Sequence, residues 1–228
     1  MNRDGLSASL RRTWELAKRN KTPQPEGEVG LQVRDHRRMV GGRWDEIGKL
    51  QIDYLKQRGL RPDHVLLDVG CGSFRAGHHF IRFLDTGNYL GIDKQEVLVR
   101  EGRKHEVGEA LWAEKTPEIV LSDSFEFENF SKKPDYAIAN SLFTHLSASD
   151  IKTCLSKLRA FAEPPLVFYA TFFESAHRVF HVWPSHSSRR FEYTRRQMEK
   201  FGADTGWHPR YVGDWGHPRN QMMICYEL

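Results

Sequence analysis

Three aspartates, a cluster of glycines and a scatter of histidines are the residues in this chain of 228 whose types and spacing suit chemistry. The run VLLDVGCGSFRAG, residues 65–77, is apolar up to an acid, Asp68, and then places glycine at positions 70, 72 and 77. Glycine lets a backbone turn sharply after a strand and admits a ligand where a Cβ would block it. A dinucleotide-binding turn wants a third glycine three residues after the second, where Arg75 stands, and rarely puts a carboxylate inside the preceding strand. Asp68 therefore discriminates between ligands, because it repels a pyrophosphate and attracts an ammonium or a sulfonium centre. Asp93 closes the run NYLGID, 21 residues beyond Gly72, and its carboxylate can accept two hydrogen bonds from ribose hydroxyls. Asp123, in IVLSDSF, can accept from an exocyclic amine, with Phe125 available to lie against a purine. Three acids at three successive strand ends make one rim of one crevice. The competing readings are a generic nucleotide loop, a turn-starting Asp123, and a Phe125 that packs in the core beside Phe127 and Phe130.

A hydroxyl acceptor is helped by a base within hydrogen-bond reach, and histidine is the side chain poised for that near neutral pH. Of eleven histidines, His145 falls just past the fourth expected strand and His177 just past the fifth, where Glu174 also emerges. One of the two, not both, is expected to act. His181, His186 and His217 are weaker candidates, and His36 matters only if the N-terminal segment folds over the site. His177, His181 and His186 lie close in sequence, but no H-E-x-x-H pattern accompanies them, so no metal is expected. Cys71, Cys154 and Cys225 form no C-x-x-C pair and each sits in an apolar segment, the setting of a small packed hydrophobe in a reducing compartment.

The elements that must carry these residues follow from hydropathy and turn residues. Residues 6–19 read as a short helix, followed by an extended connection interrupted by Pro23 and Pro25. From Trp44, apolar residues at Ile47, Leu50, Tyr54 and Leu55 share one helical face until Gly59. Strands are then expected at 64–69, 89–92, 118–121, 136–139 and 166–172, alternating with helices at 76–84, 95–102, 106–115 and 149–162, the last begun by Ser147 with Asp150. Continuous apolar strands separated by helices argue for a parallel sheet covered on both sides. A helix near 192–201 and two strands, 207–212 and 221–226, complete the chain. No internal repeat or low-complexity segment interrupts it.

With 39% hydrophobic residues the chain can bury one substantial core. No stretch approaches the roughly 20 apolar residues of a membrane span, and the N-terminus lacks a signal-peptide core, so a soluble, cytoplasmic protein without a membrane partner is expected. Arginine and lysine concentrate in 11–21, 34–43 and 189–196, yet the net charge is only +4. Solvated helix faces explain these runs better than an acidic substrate or a nucleic acid does.

Taken together, these motifs resemble the class I, Rossmann-like S-adenosylmethionine-dependent methyltransferases over roughly residues 44–228. The resemblance implies S-adenosyl-L-methionine as cofactor. Asp68, Gly70, Cys71, Gly72 and Gly77 match the first motif of that family, Asp93 with Lys94 the ribose-binding acid, and Asp123, Ser124 and Phe125 the adenine contacts. PDYAIANSLFTHL looks like its fourth motif, whose strand end, Asn140 and Ser141, faces the methionine portion and the substrate. Ser73 departs from the pattern, where many members carry another glycine. The implied fold class is α/β and doubly wound: a seven-stranded, mostly parallel sheet with an antiparallel last strand and helices on both faces. Residues 1–43 are then an N-terminal helical or lid segment, 44–228 the methyltransferase domain, and 175–191 an insertion at the acceptor site. The expected activity is O-methylation of a small molecule, a sugar or a secondary metabolite. An RNA or protein methyltransferase is disfavoured because N-S-L-F replaces an amide-clamping tetrad, and a non-catalytic cofactor-binding module is disfavoured by the three acids. Oligomeric state is left open.

Overall fold

The computed structural model describes residues 3–228. Its centre is a parallel sheet of β1 (Leu66–Val69), β2 (Tyr89–Asp93), β3 (Glu118–Leu121), β4 (Tyr136–Ala139) and β5 (Val167–Glu174). A terminal hairpin, β7 (His208–Gly213) and β8 (Met222–Glu227), completes the order β3-β2-β1-β4-β5-β8-β7, with β8 antiparallel to both neighbours. The expected sheet is therefore present, with one addition: β6 (Glu192–Tyr193) pairs parallel with Phe173 and Glu174 at the end of β5. The strand order reverses direction between β1 and β4, the place where an open α/β sheet leaves a crevice beyond its carboxyl ends.

Alternation along the strands separates two cores. Leu67, Leu90, Ala137, Phe168 and Ile224 face α8 (Ala148–Phe161) and α9 (Arg195–Asp204). Leu66, Tyr89, Ile138, Tyr169 and Met223 face α4 (Trp44–Gln57) and α5 (Gly77–Phe83). α4 buries Trp44, Ile47, Gln51, Ile52 and Leu55, a single stripe at helical spacing. α8 starts where expected, with the Ser147 hydroxyl accepting from the Asp150 backbone N–H, and buries Ile151, Cys154, Leu155, Leu158 and Phe161. All three cysteines are free and buried.

Three stretches differ from the expectation. Residues 106–115 are not one helix: α6 (Glu96–Gly102) runs into a π-helical turn, Arg103–Val107, and Gly108 at φ +81° separates that turn from α7 (Glu109–Lys115). Residues 192–201 begin as strand because Glu192 and Tyr193 reach the edge of β5, and a Thr194–Gln197 capping box then opens α9. The N-terminal segment is more ordered than an extended connection. After α1 (Arg3–Arg19) come α2 (Gly27–Val33) and α3 (His36–Met39), which pack against α6. Short polar helices of this kind are held by tertiary contacts, not by their own periodicity. Among the described residues no helix is long and apolar enough to cross a membrane.

Candidate active site

One cavity of about 720 Å³ lies beyond the carboxyl ends of β1 to β4. Asp68, Asp93 and Asp123 all line it. Asp68 stands within β1, its Oδ2 accepting the Tyr89 hydroxyl at 2.9 Å. Burial, reinforced by the negative charge of Asp93 and opposed by Tyr89 and Arg75, pushes its carboxyl up to about 7. Asp93 ends β2 and accepts backbone N–H groups from Gly72 at 2.9 Å and Gln95 at 2.8 Å. Its carboxyl is also raised by burial, against those hydrogen bonds. Asp123 is exposed and sits two residues beyond β3, in the following bend, not at the strand end itself.

The glycine loop joins the two inner acids. Gly70 and Cys71 donate their N–H groups to the Ile92 carbonyl, and Gly72 adopts φ +54°. A Cβ at Gly72 would meet Val40 Cγ1 at 2.9 Å, so the N-terminal segment closes directly over this loop. Gly70, Cys71 and Gly72 line the cavity, as do Lys94, Ser124, Phe125, Asn140 and Ser141. Gly77 does not: its missing Cβ makes room for the Tyr89 hydroxyl, 2.6 Å away, a packing role at the start of α5. Lys94 pairs with Glu26 of the N-terminal segment at 2.8 Å. Phe125 stacks on Phe127 with ring centroids 6.1 Å apart, leaving it partly buried at the wall. Ser141 at φ +62° is fixed by Thr171 and Gln221, and Asn140 Oδ1 is buried with no hydrogen-bond partner among the described residues.

The two histidines part company. His145 lines the cavity, and its Nδ1 lies 2.5 Å from the Arg189 carbonyl, which sets the tautomer: Nδ1 carries the hydrogen and Nε2 is free to accept. Burial lowers its pKa to about 4, so the ring is neutral at physiological pH. His177 is exposed in the loop after β5 and does not reach the cavity. His186, the weaker candidate, does line it and binds Ser188 through Nδ1. His181 points instead to the Glu192 backbone, His217 is buried outside the cavity beside Trp215, and His36 is held by Glu106 at 2.7 Å.

Spacing in the sequence did not single out the second wall of the cavity. Gln24, Arg34 and residues 38–41 line the cavity opposite the strand ends together with 185–188, and the two segments are tied together: Gln24 N–H donates to Ser188 Oγ at 2.9 Å and Ser187 N–H to Glu26 Oε1 at 3.0 Å. α1 braces the same loop from behind, with Trp183 Nε1 donating to the Ala17 carbonyl, Asn20 Nδ2 to the Arg190 carbonyl, and Arg12 paired with Glu192. Thr153 and Lys157 of α8 and Asp150 close the side. The signals of this wall in the sequence are the crowding of polar and histidine residues in 176–188 and the polar N-terminal segment, which the family resemblance makes a lid.

No protein-family model matches the chain. Among solved structures it is similar to magnesium protoporphyrin IX methyltransferase of Synechocystis PCC 6803 with bound S-adenosylmethionine, at 15% identity and a TM-score of 0.59, covering 100% of this chain and 98% of that one. It is also similar to DesVI of Streptomyces venezuelae, at 14% identity and a TM-score of 0.60 over 82% of this chain and 93% of that one. A third is an S-adenosylmethionine-bound amino pentose methyltransferase from Micromonospora echinaspora, at 16% identity and a TM-score of 0.57 over 84% and 94%. At such identities the likeness is one of fold, and the fold of this chain is that of the class I S-adenosylmethionine-dependent methyltransferases.

Proposed function

We propose that the chain transfers the methyl group of S-adenosylmethionine to a hydroxyl of a small polar acceptor, a sugar or a hydroxylated secondary metabolite. The observation that supports this most is the convergence of Asp68, Asp93 and Asp123 on one cavity that also receives the glycine loop and a histidine with a free ring nitrogen. The residues present fit the cofactor. A buried carboxylate at Asp68 has no cationic partner within ion-pair distance among the described residues, Asn140 Oδ1 has no hydrogen-bond partner among them, and the Gly70–Gly72 loop lines the same cavity. When bound, the cofactor supplies an electrophilic methyl on a sulfonium with a good leaving group.

Asp68 would hold the ammonium, Asp93 with Lys94 the ribose, and Asp123, Ser124 and Phe125 the adenine. Gly70, Cys71, Asn140 and Ser141 would line the methionine portion. His145 serves as the base, with its ring held by the Arg189 carbonyl and Nε2 turned to the acceptor proton. Its lowered pKa makes it a late acceptor, taking the proton once the attacking oxygen has become acidic. Residues 24–43 and 175–191 form the acceptor wall over the 44–228 domain and exclude water from the transfer. The hydroxyls of Ser185, Ser187 and Ser188 in that wall, with Thr153 of α8 beside it, suit a hydroxyl-rich acceptor.

The test is an acceptor screen with labelled methyl donor, run with His145→Ala beside the wild type. Turnover should fall roughly 10²- to 10⁴-fold in the variant with cofactor affinity retained. Equal turnover would remove the base, and a wild-type protein whose melting temperature ignores S-adenosylmethionine would remove the cofactor.

A further inference from the structure

Three arginines of the cavity wall, Arg34, Arg75 and Arg219, have no carboxylate partner among the described residues; Arg34 is held by Gln24 and the Pro25 carbonyl, whereas Arg75 and Arg219 both reach the turn that lies over the glycine loop. Arg75 is only 7% exposed. Its Nη1 donates to the carbonyls of Val40 at 2.9 Å and Gly42 at 3.1 Å, while its buried Nε has no partner among the described residues. Arg219, in the loop between β7 and β8, donates Nη2 to the Gly41 carbonyl, and its backbone N–H is held by His217 Nδ1 at 3.2 Å. Neither guanidinium has an ion-pair partner among the described residues, although both line the same cavity as Asp68. Neutral carbonyls offset a buried cation only in part.

The charges around the glycine loop thus form an incomplete set: an acid without a counter-ion and, in the same cavity, two guanidiniums without one. A zwitterion with ammonium and carboxylate on one carbon completes both halves at once, whereas a simple amine or a simple acid completes only one. We infer that Arg75 and Arg219 are the residues that select the α-carboxylate of the methyl donor, an assignment that rests on the cofactor reading above. Both also grip the Val40–Gly42 turn, so the contact that reads the carboxylate braces the segment lying over Gly72.

Isothermal titration separates this role from a structural one by comparing S-adenosylmethionine with its decarboxylated analogue, which keeps the ammonium and the sulfonium. Wild type should prefer the carboxylated ligand by roughly tenfold to a hundredfold, the usual strength of charge-assisted hydrogen bonds in a buried site. Arg219→Gln, at a half-buried position, should bring the two affinities within about threefold by the same reasoning. Arg75→Gln should do the same where it folds. Asp68→Asn should weaken both ligands alike and keep their ratio. If wild type binds the pair but Arg219→Gln preserves the wild-type ratio, the assignment falls while the cofactor reading stands. If wild type binds neither ligand, both fall.

Discussion

Between about pH 8 and about pH 6, S-adenosylmethionine should bind this protein roughly tenfold more weakly, and one side chain should account for it. Asp68 is buried, its carboxylate's one hydrogen-bond partner among the described residues is the neutral Tyr89 hydroxyl, and its carboxyl is pushed up to about 7. A ligand ammonium favours the ionised form, so protonation competes with binding, and each pH unit below about 7 costs about a factor of ten. The sign for folding is the reverse. The folded state holds the Asp68 proton more tightly than the unfolded chain, whose model value is 3.8. This group's stability contribution in the ligand-free protein is therefore fully present below about pH 4 and is lost as pH rises through about 7, a swing on the order of 4 kcal/mol. Asp68→Asn keeps an oxygen for Tyr89 and removes the charge. It should raise the melting temperature of the ligand-free protein at about pH 8, weaken the cofactor, and flatten the pH dependence of its affinity. Calorimetric titration and thermal melts across that range read both quantities. A wild-type affinity that is level with pH, or a variant that retains the wild-type slope, refutes the reasoning.

Two further predictions concern the cradle and the core. Gly72→Ala should lower the melting temperature by roughly 3–6 °C, because an alanine at φ +54° is strained by about 1–2 kcal/mol and its Cβ presses on Val40; an unchanged melting curve with intact cofactor binding would show that the loop has room to spare. Phe168→Ala removes the ring that meets Phe143, Trp207 and Tyr226 at 6.0, 6.1 and 6.0 Å, and should cost about 3–5 kcal/mol in chemical denaturation. A loss below about 1 kcal/mol would mean that the core around α8 and α9 repacks.

The residues that could be read from the sequence are those governed by local rules. Alternation and apolar runs located every strand of the central sheet, because a strand buried on both faces must be apolar throughout. Asp68, Asp93, Gly70 and Gly72 were legible as neighbours because a carboxylate at the end of an apolar run, followed by glycine, departs from the pattern of a packed strand, and all four line one cavity. The same logic misjudged Gly77, whose glycine serves the Tyr89 hydroxyl, since spacing alone does not tell a ligand's approach from a neighbour's. It left His145 and His177 level for a related reason: both follow strands, and only the path of residues 176–191 decides that one ring meets a backbone carbonyl inside the cavity while the other faces water.

What the sequence by itself determined is the sheet, its doubly covered plan and the acids at its carboxyl ends, because periodicity and turn chemistry act over a few residues and are written in neighbouring positions. What only the tertiary structure decided is the far wall: the folding of α2 and α3 over the glycine loop, the joining of Gln24 and Glu26 to Ser188 and Ser187, and the meeting of Arg75 with Arg219 around one turn. Those contacts link residues 33 to 178 positions apart through polar side chains, which carry no periodic signal and gain their partners only when the chain has closed.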